Sequence, residues 1–388
     1  IWISYFYSYL SEKGRAGFVM SSQASSAGRD EAKVRQKLVE TDDVAVMIAI
    51  RSNFFYTRTV PCELWFLNRN KPKAHRDKVL MLDARNVYRK VTRKIYDFSP
   101  EQAQNILAIV WLFRGETERF LALVSQYLGQ VVDEGQACFA WEDEDGETIR
   151  ALPEFVDSVA ALSDQLAPFL KTLDKTGPHA ETLAELDKER KLFAGDVQQF
   201  QASINQAAKQ WEKTPDTNAA LNKLAKQFAP LAKSSRDLVK QSDLVYKLGT
   251  CLIDICEIEY DAKESDAWVS RDVIRARKAA DECRQVAVGQ LKQVRYFWRQ
   301  SHWLTERFPK GELCDVEGLV KLIDKAEIEA NDWSLTPARY VGVAPEEVDE
   351  DFNFEEALKE IHIELEDLNS EAVDLATKIK KNFGELGI

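Results

Sequence analysis

Within "ARNVYRKVTRK", the side chains Arg85, Arg89, Lys90, Arg93 and Lys94 fall inside ten residues. Basic groups at that density can bind phosphates, neutralising backbone charge on a nucleic acid and releasing its condensed counterions. A solvated basic surface has the same composition. Just upstream, "NFFYTRTVPCELWFLNR" sets Phe54, Phe55 and Tyr56, then Arg58, on a connection between two apolar runs. Loops run over the surface, so three consecutive aromatics there need something to face. Two carboxylate groupings are less promising. "EDEDGE", residues 142–147, lacks the alternating ligands and downstream Glu of a calcium loop and is expected to be an acidic hairpin or linker. "CLIDICEIEYD" spaces Asp254, Glu257 and Asp261 as on a helix but with no His, so a plain helix is expected. The six cysteines include no CxxC pair, and the four histidines lie far apart in sequence. Neither a disulfide framework nor a metal site is expected, and a reducing cytoplasm is the expected compartment.

The elements that must hold these groups follow from pattern. Four apolar, β-branched runs are expected as strands: Ala16–Ser21, Asp43–Ile50, Cys62–Asn68 and Lys78–Ala84. Between the first two, Arg29–Glu40 favours a helix with Val34, Leu38 and Val39 on one face. The aromatic loop leaves no room for a crossover helix, so its flanking strands should pair antiparallel. The expected result is an α/β layer with a mostly parallel sheet and a reversed strand at one edge.

Beyond Ala151 the period changes to heptads. Leu152, Phe155, Val159, Leu162, Leu166, Phe169 and Leu173 repeat at three and four residues, as do Phe193, Val197, Phe200, Ile204, Ala207 and Trp211, then Leu221, Leu224, Phe228 and Leu231. Three long helices packed along their lengths are expected, separated at Gly177–Pro178 and Pro215, with further helices over Val269–Trp298 and Phe354–Phe383. No apolar run is long enough for a membrane span. Charge divides the chain: residues 1–130 carry 20 Lys and Arg against 13 Asp and Glu, while residues 131–388 carry 32 against 51. The basic part is expected to meet an anionic partner, with nucleic acid the first candidate. The chain opens on "IWISYFYSYL" with no capping residue before a helix-like run, so a fragment cut inside an element is expected.

Three segments together, "GRAGFVMSSQASSAGRDEAKVRQKLVE", "SNFFYTRTVPCELWFLNRNK" and "NDWSLTPARYVGV", resemble the modification subunit, HsdM, of type I restriction-modification systems, an adenine-N6 DNA methyltransferase. The resemblance implies that residues 1–130 are the C-terminal part of the catalytic domain, an incomplete Rossmann-like methyltransferase sheet. Residues 131–342 would be a long helical, coiled-coil-like domain, and residues 343–388 an acidic tether with a partner-binding helix. The family holds S-adenosylmethionine on a Gly-containing turn after its first strand and catalyses with an Asn/Asp-Pro-Pro-aromatic motif. No two prolines are adjacent in this sequence, and Gly14 and Gly17 precede a strand instead of following one. The resemblance therefore implies methyl transfer in the parent enzyme, with no catalytic residue, no bound cofactor and no activity in this chain alone.

For the aromatic loop the family implies a base contact, since an adenine must leave the duplex stack to be methylated. Phe55 is the first candidate and Tyr56 the second, with simple packing the alternative for Phe55 and a core plug expected for Phe54. Arg58, Arg85, Arg89, Lys90, Arg93 and Lys94 are the candidate DNA-binding set. Phe354, Leu358, Ile361, Leu365, Leu368, Leu375 and Ile379 form an apolar seam on the last helix, opposite charges such as Glu355, Lys359 and Lys380. "VAPEEVDEDFN" would tether that helix to its domain. In the family it would pack on the specificity subunit, HsdS, in an assembly with DNA, the restriction subunit, HsdR, and a second modification subunit. Self-docking is the plainer alternative for the seam. For the whole chain, the alternative is a non-enzymatic helical scaffold or DNA clamp with a degenerate methyltransferase half-domain.

Overall fold

The structure, a computed structural model, describes residues 1–55, 59–92, 94–344 and 354–385. By internal contact it forms two compact units, residues 1–102 with 314–388, and residues 103–313, a division made on different ground from the sequence segments above.

The first unit is built on a five-stranded mixed sheet ordered β1-β3-β2-β4-β9, from β1 (Arg15–Ser21), β2 (Val44–Ile50), β3 (Cys62–Asn68), β4 (Lys78–Asp83) and β9 (Val320–Asp324). The first four strands arise where the apolar runs expect them. β2 and β3 pair antiparallel, as their short connection requires. The expectation of a mostly parallel sheet with a reversed edge strand is wrong: among the described residues β2–β4 is the one parallel pairing, and β3 is interior because its second edge accepts β1 antiparallel. β9, which the sequence pattern missed, closes the other side against β4. β2 is buried along its whole length, whereas β1 alternates between half-buried and exposed positions.

One sheet face carries a core of Met47, Trp65, Leu67, Val79, Met81 and Ile323 under helix α3 (Arg29–Glu40), α11 (Lys325–Ala330) and the segment around Leu335–Val341. Helix α1 (Trp2–Ser8) adds Ile3 and Tyr7 to it. On α3, Leu38 and Val39 are buried as expected, but Val34 is exposed and Arg35 is buried in its stead. A buried guanidinium is tolerable only when its donors are satisfied. Here they reach the carbonyls of Ala27 (2.6 Å), Trp333 (3.1 Å) and Ala24 (3.3 Å). Leu335 N also donates to Ser25 O at 2.9 Å, and the Ser25 and Thr336 hydroxyls lie 2.7 Å apart. The first and third segments of the family resemblance, some 300 residues apart in sequence, are thus one packed layer.

The second unit is helical. It contains most of α4 (Pro100–Phe113), then α5 (Thr117–Ala137), α6 (Ala151–Leu170), α7 (Pro178–Trp211), α8 (Asn218–Gln227), α9 (Ala229–Glu259) and α10 (Ser270–Arg307). α10 packs on α5, α6 and α9, and α7 on α9. The heptad residues Leu152 to Phe169 and Phe193 to Ala207 are buried core. The third stripe is not one helix: Phe228 ends α8 and begins α9, with Pro230 at the start of the new helix, where its missing N–H costs nothing. "EDEDGE" forms the expected hairpin between β7 (Trp141–Glu142) and β8 (Thr148–Ile149), and Asp143 Oδ1 accepts from the amides of Asp145 and Glu147. "CLIDICEIE" is helical, whereas Asp261 lies beyond the helix end in a left-handed conformation. The last helix, α12, spans Phe354–Glu385.

Candidate nucleic-acid interface

Because β2 and β4 run parallel, the chain leaves both at the same edge of the sheet. In open α/β sheets ligands bind beyond the carboxyl ends of strands. β2 runs into the aromatic loop, 51–61. β4 runs into residues 84–98, which contain a two-stranded hairpin of β5 (Arg89–Thr92) and β6 (Ile95–Asp97).

The loop turns at Asn53, whose φ of 60° is one that Asn tolerates better than most side chains. Asn53 O accepts a hydrogen bond from Tyr96 N at 3.1 Å, joining loop to hairpin. Phe54 packs on Phe98, ring centroids 4.4 Å apart, and is half-buried, short of the core plug expected of it. Phe55 meets Phe54 edge-on at 6.0 Å and stays 37 % exposed. Between the two elements lies Arg51, its guanidinium 3.8 Å from the Tyr88 ring centroid and 3.7 Å from that of Tyr96. Tyr56, Arg58 and Arg93 lie outside the described residues.

The remaining basic candidates differ in their company. Arg85 grips the buried Asp83 carboxylate through Nε and Nη2, at 2.8, 3.0 and 2.6 Å, and that hydrogen bonding raises its pKa further. Arg89 bridges to Asp97 across the hairpin at 2.9 and 2.7 Å. Lys90 and Lys94 are exposed on the same hairpin. Arg85 and Arg89 therefore hold the fold as well as presenting charge.

Sequence reasoning overlooked a buried carboxyl beside this edge. In register, Ala49 of β2 faces Glu63 of β3 on one side and Asp83 of β4 on the other. Glu63 is 1 % exposed and its Oε2 has no hydrogen-bond partner among the described residues. Burial pushes its pKa up to about 8, reinforced by Asp83 and opposed by the Ser25 hydroxyl, Arg85 and Arg35. The signal was available: a lone Glu at a position that alternates with Trp65 and Leu67 on the core face of "CELWFLN".

The turns that directly follow β1, β2 and β4 do not match the way the family holds S-adenosylmethionine. β1 runs through Ser22 into the four-residue α2 (Gln23–Ser26), β2 into the aromatic loop, and β4 into Ala84 and the hairpin. None of these turns is the glycine turn at a helix N-terminus that cradles such a cofactor.

At the other end of the first unit's sequence, α12 presents its seam outward. Phe354, Leu358, Ile361, Leu365, Leu368, Leu375 and Ile379 are 44–68 % exposed. Of the expected tether, only Val343 and Ala344 are described. Among the described residues no helix is long and apolar enough to cross a membrane.

Residues 1–127 match the family model described as N-6 DNA methylase. Similar proteins include the type I restriction enzyme MjaIX methylase subunit of Methanocaldococcus jannaschii, 34 % identical over 119 residues, 30 % of this chain and 21 % of that protein. The HindI methylase subunit of Haemophilus influenzae is 28 % identical over 106 residues, 27 % of this chain and 24 % of its own length. A solved type I methyltransferase subunit from Streptococcus thermophilus aligns over 26 % of this chain and 21 % of its own, at 20 % identity and a TM-score of 0.24. The matched part thus spans about a fifth to a quarter of these relatives. The segment around Leu335 and the heptad helices lie outside the family match. Over its first 127 residues, which include the aromatic loop and the basic hairpin, this chain matches the N-6 DNA methylase family model, and the proteins it is similar to there are methylase subunits of type I restriction enzymes.

Proposed function

We propose that this chain is the DNA-contacting, partner-docking portion of a type I restriction-modification methylase subunit, whose whole protein methylates adenine N6 in DNA. The observation that carries the reading is the meeting of an exposed aromatic and a basic hairpin at one sheet edge, tied by the Asn53–Tyr96 bond. An adenine swung out of the duplex needs a π-face to replace its lost stacking, and Phe55 offers one. The strand that carries the base needs cations at its phosphates, which Lys90 and Lys94 supply, with Tyr56, Arg58 and Arg93 as further candidates. The methyl group would come from S-adenosylmethionine held by another part of the subunit, so this chain's residues only hold and orient the base.

α12 is the docking element in this reading. An apolar seam with three- and four-residue spacing, exposed in its own chain, suits a helix of another protein. The specificity subunit is the proposed occupant, in an assembly with a restriction subunit and a second methylase subunit. The DNA side is tested by titrating an oligonucleotide at several salt concentrations. Replacing Lys90 and Lys94 together by Ala should reduce the salt dependence by about one to two phosphate contacts. An unchanged slope would remove the hairpin from the interface.

A further inference from the structure

The loop that carries Phe55 and the hairpin that carries the lysines come from different strands, so something must fix their spacing. Three links do so. One is the Asn53–Tyr96 backbone bond, and the second is the contact between Phe54 and Phe98. The third is the side chain of Arg51, at the exit of β2. Its guanidinium lies over the faces of both Tyr88, just before β5, and Tyr96, within β6, while those two rings meet edge-on at 5.2 Å. Its Nε is buried with no hydrogen-bond partner among the described residues, so stacking on the rings, not hydrogen bonding through Nε, holds that end in place. Tyr88 is itself anchored, since its carbonyl accepts from Gln102 Nε2 at 2.9 Å and Gln102 exchanges hydrogen bonds with Ser99 in a capping box at the start of α4.

We infer that Arg51 is a positioning residue: gripped between Tyr88 and Tyr96, it sets the hairpin's distance from Phe55, so that one extruded base and the phosphates beside it are engaged together. The inference rests on the nucleic-acid reading above. Arginine suits the task because its guanidinium is planar, weakly hydrated and able to stack on two rings, whereas a lysine ammonium is a compact, strongly hydrated point charge. Arg51 touches neither base nor phosphate in this account.

The test titrates the whole chain onto a single-stranded oligonucleotide containing one 2-aminopurine, at several salt concentrations, for wild type, Arg51→Gln and Arg51→Lys. In Arg51→Gln the 2-aminopurine emission change at saturation should fall by roughly half or more as base stacking is lost. The salt dependence and melting temperature should stay at wild-type values, with Arg51→Lys falling between. A wild-type emission change in Arg51→Gln overturns the inference. So does a joint fall of emission change, salt dependence and melting temperature, which would make Arg51 a residue of the fold alone. If wild type does not bind the oligonucleotide, the nucleic-acid reading fails, and hydrogen exchange at the Tyr96 amide still decides the clamp. Exchange about tenfold faster in Arg51→Gln, from easier local opening, supports it, and an unchanged rate overturns it.

Discussion

Helices α6 and α12 carry apolar residues at the same three- and four-residue spacing and meet opposite fates. In α6, Leu152, Phe155, Val159, Leu162, Leu166 and Phe169 are all buried, with Phe155 edge-on to Phe193 of α7. In α12, the residues from Phe354 to Ile379 on the seam are exposed. Spacing therefore specifies that a seam exists and which residues form it. Whether the same chain covers it depends on neighbours that spacing does not reveal. Burial makes the α6 seam a source of stability, and the proposed reading assigns the exposed α12 seam to another protein.

The largest effect should come from the buried side. Phe155→Ala leaves a cavity in the helical unit and should cost about 3–5 kcal/mol in denaturant unfolding. A cost under about 1 kcal/mol would mean that the α6 seam is no more a core than that of α12.

Next is Glu63, which shows what burial does to a carboxyl with one oxygen left unpartnered among the described residues. Its pKa, 4.5 in an ordinary setting, is about 8 in the fold, so between those values the unfolded chain releases a proton that the folded chain keeps. Stability should accordingly be greatest below pH 4.5 as far as this group is concerned, and should fall as pH rises towards 8. At about 1.4 kcal/mol per unit of displacement, the full effect is a few kcal/mol. Glu63→Gln should remove that slope and stabilise the protein at pH 8. An unaltered profile of melting temperature against pH would refute the assignment.

Phe55 sits between the two extremes, one edge packed on Phe54 and the rest exposed. Phe55→Ala should weaken oligonucleotide binding by about 1–3 kcal/mol, the worth of one stacked base. The melting temperature should barely change. A fall in stability with no loss of affinity would make it a packing residue.

The smallest effect belongs to the exposed seam. Leu365→Ala should change the stability of the chain by less than about 0.5 kcal/mol. The same substitution should weaken assembly with a specificity subunit in a pull-down from purified components. A large loss of stability would show that the seam is covered within its own chain.

Much of the fold was legible because its signals are local. The strands from Arg15 to Asp83 are apolar runs bounded by polar turns, and the heptads of α6 and α7 mark their own core faces. What was missed depends on distant partners. β9 is a short strand that exists because β4 offers a free edge more than 200 residues earlier. α4 is apolar on most sides over Asn105–Phe113, which hides the helical period. Arg35 displaced Val34 from the core because three backbone carbonyls await it, two of them in its own neighbourhood and one at Trp333.

The same division runs through the candidate site. The aromatic loop and basic cluster stand out as sequence. Their mutual arrangement does not, since Arg51 meets Tyr88 and Tyr96, and Phe54 meets Phe98, only after β2 and β4 pair in parallel. Nor does the sequence reveal that Arg85 and Arg89 spend their charge partly on Asp83 and Asp97.

The most direct test of the proposed interface is photo-crosslinking of the chain to an oligonucleotide with a photoreactive adenine analogue at a single position, followed by mass spectrometry of the attached peptide. The account predicts attachment on the loop that carries Phe55, lost in Phe55→Ala. Attachment confined to the helical unit, or none under conditions where the oligonucleotide is bound, would contradict it.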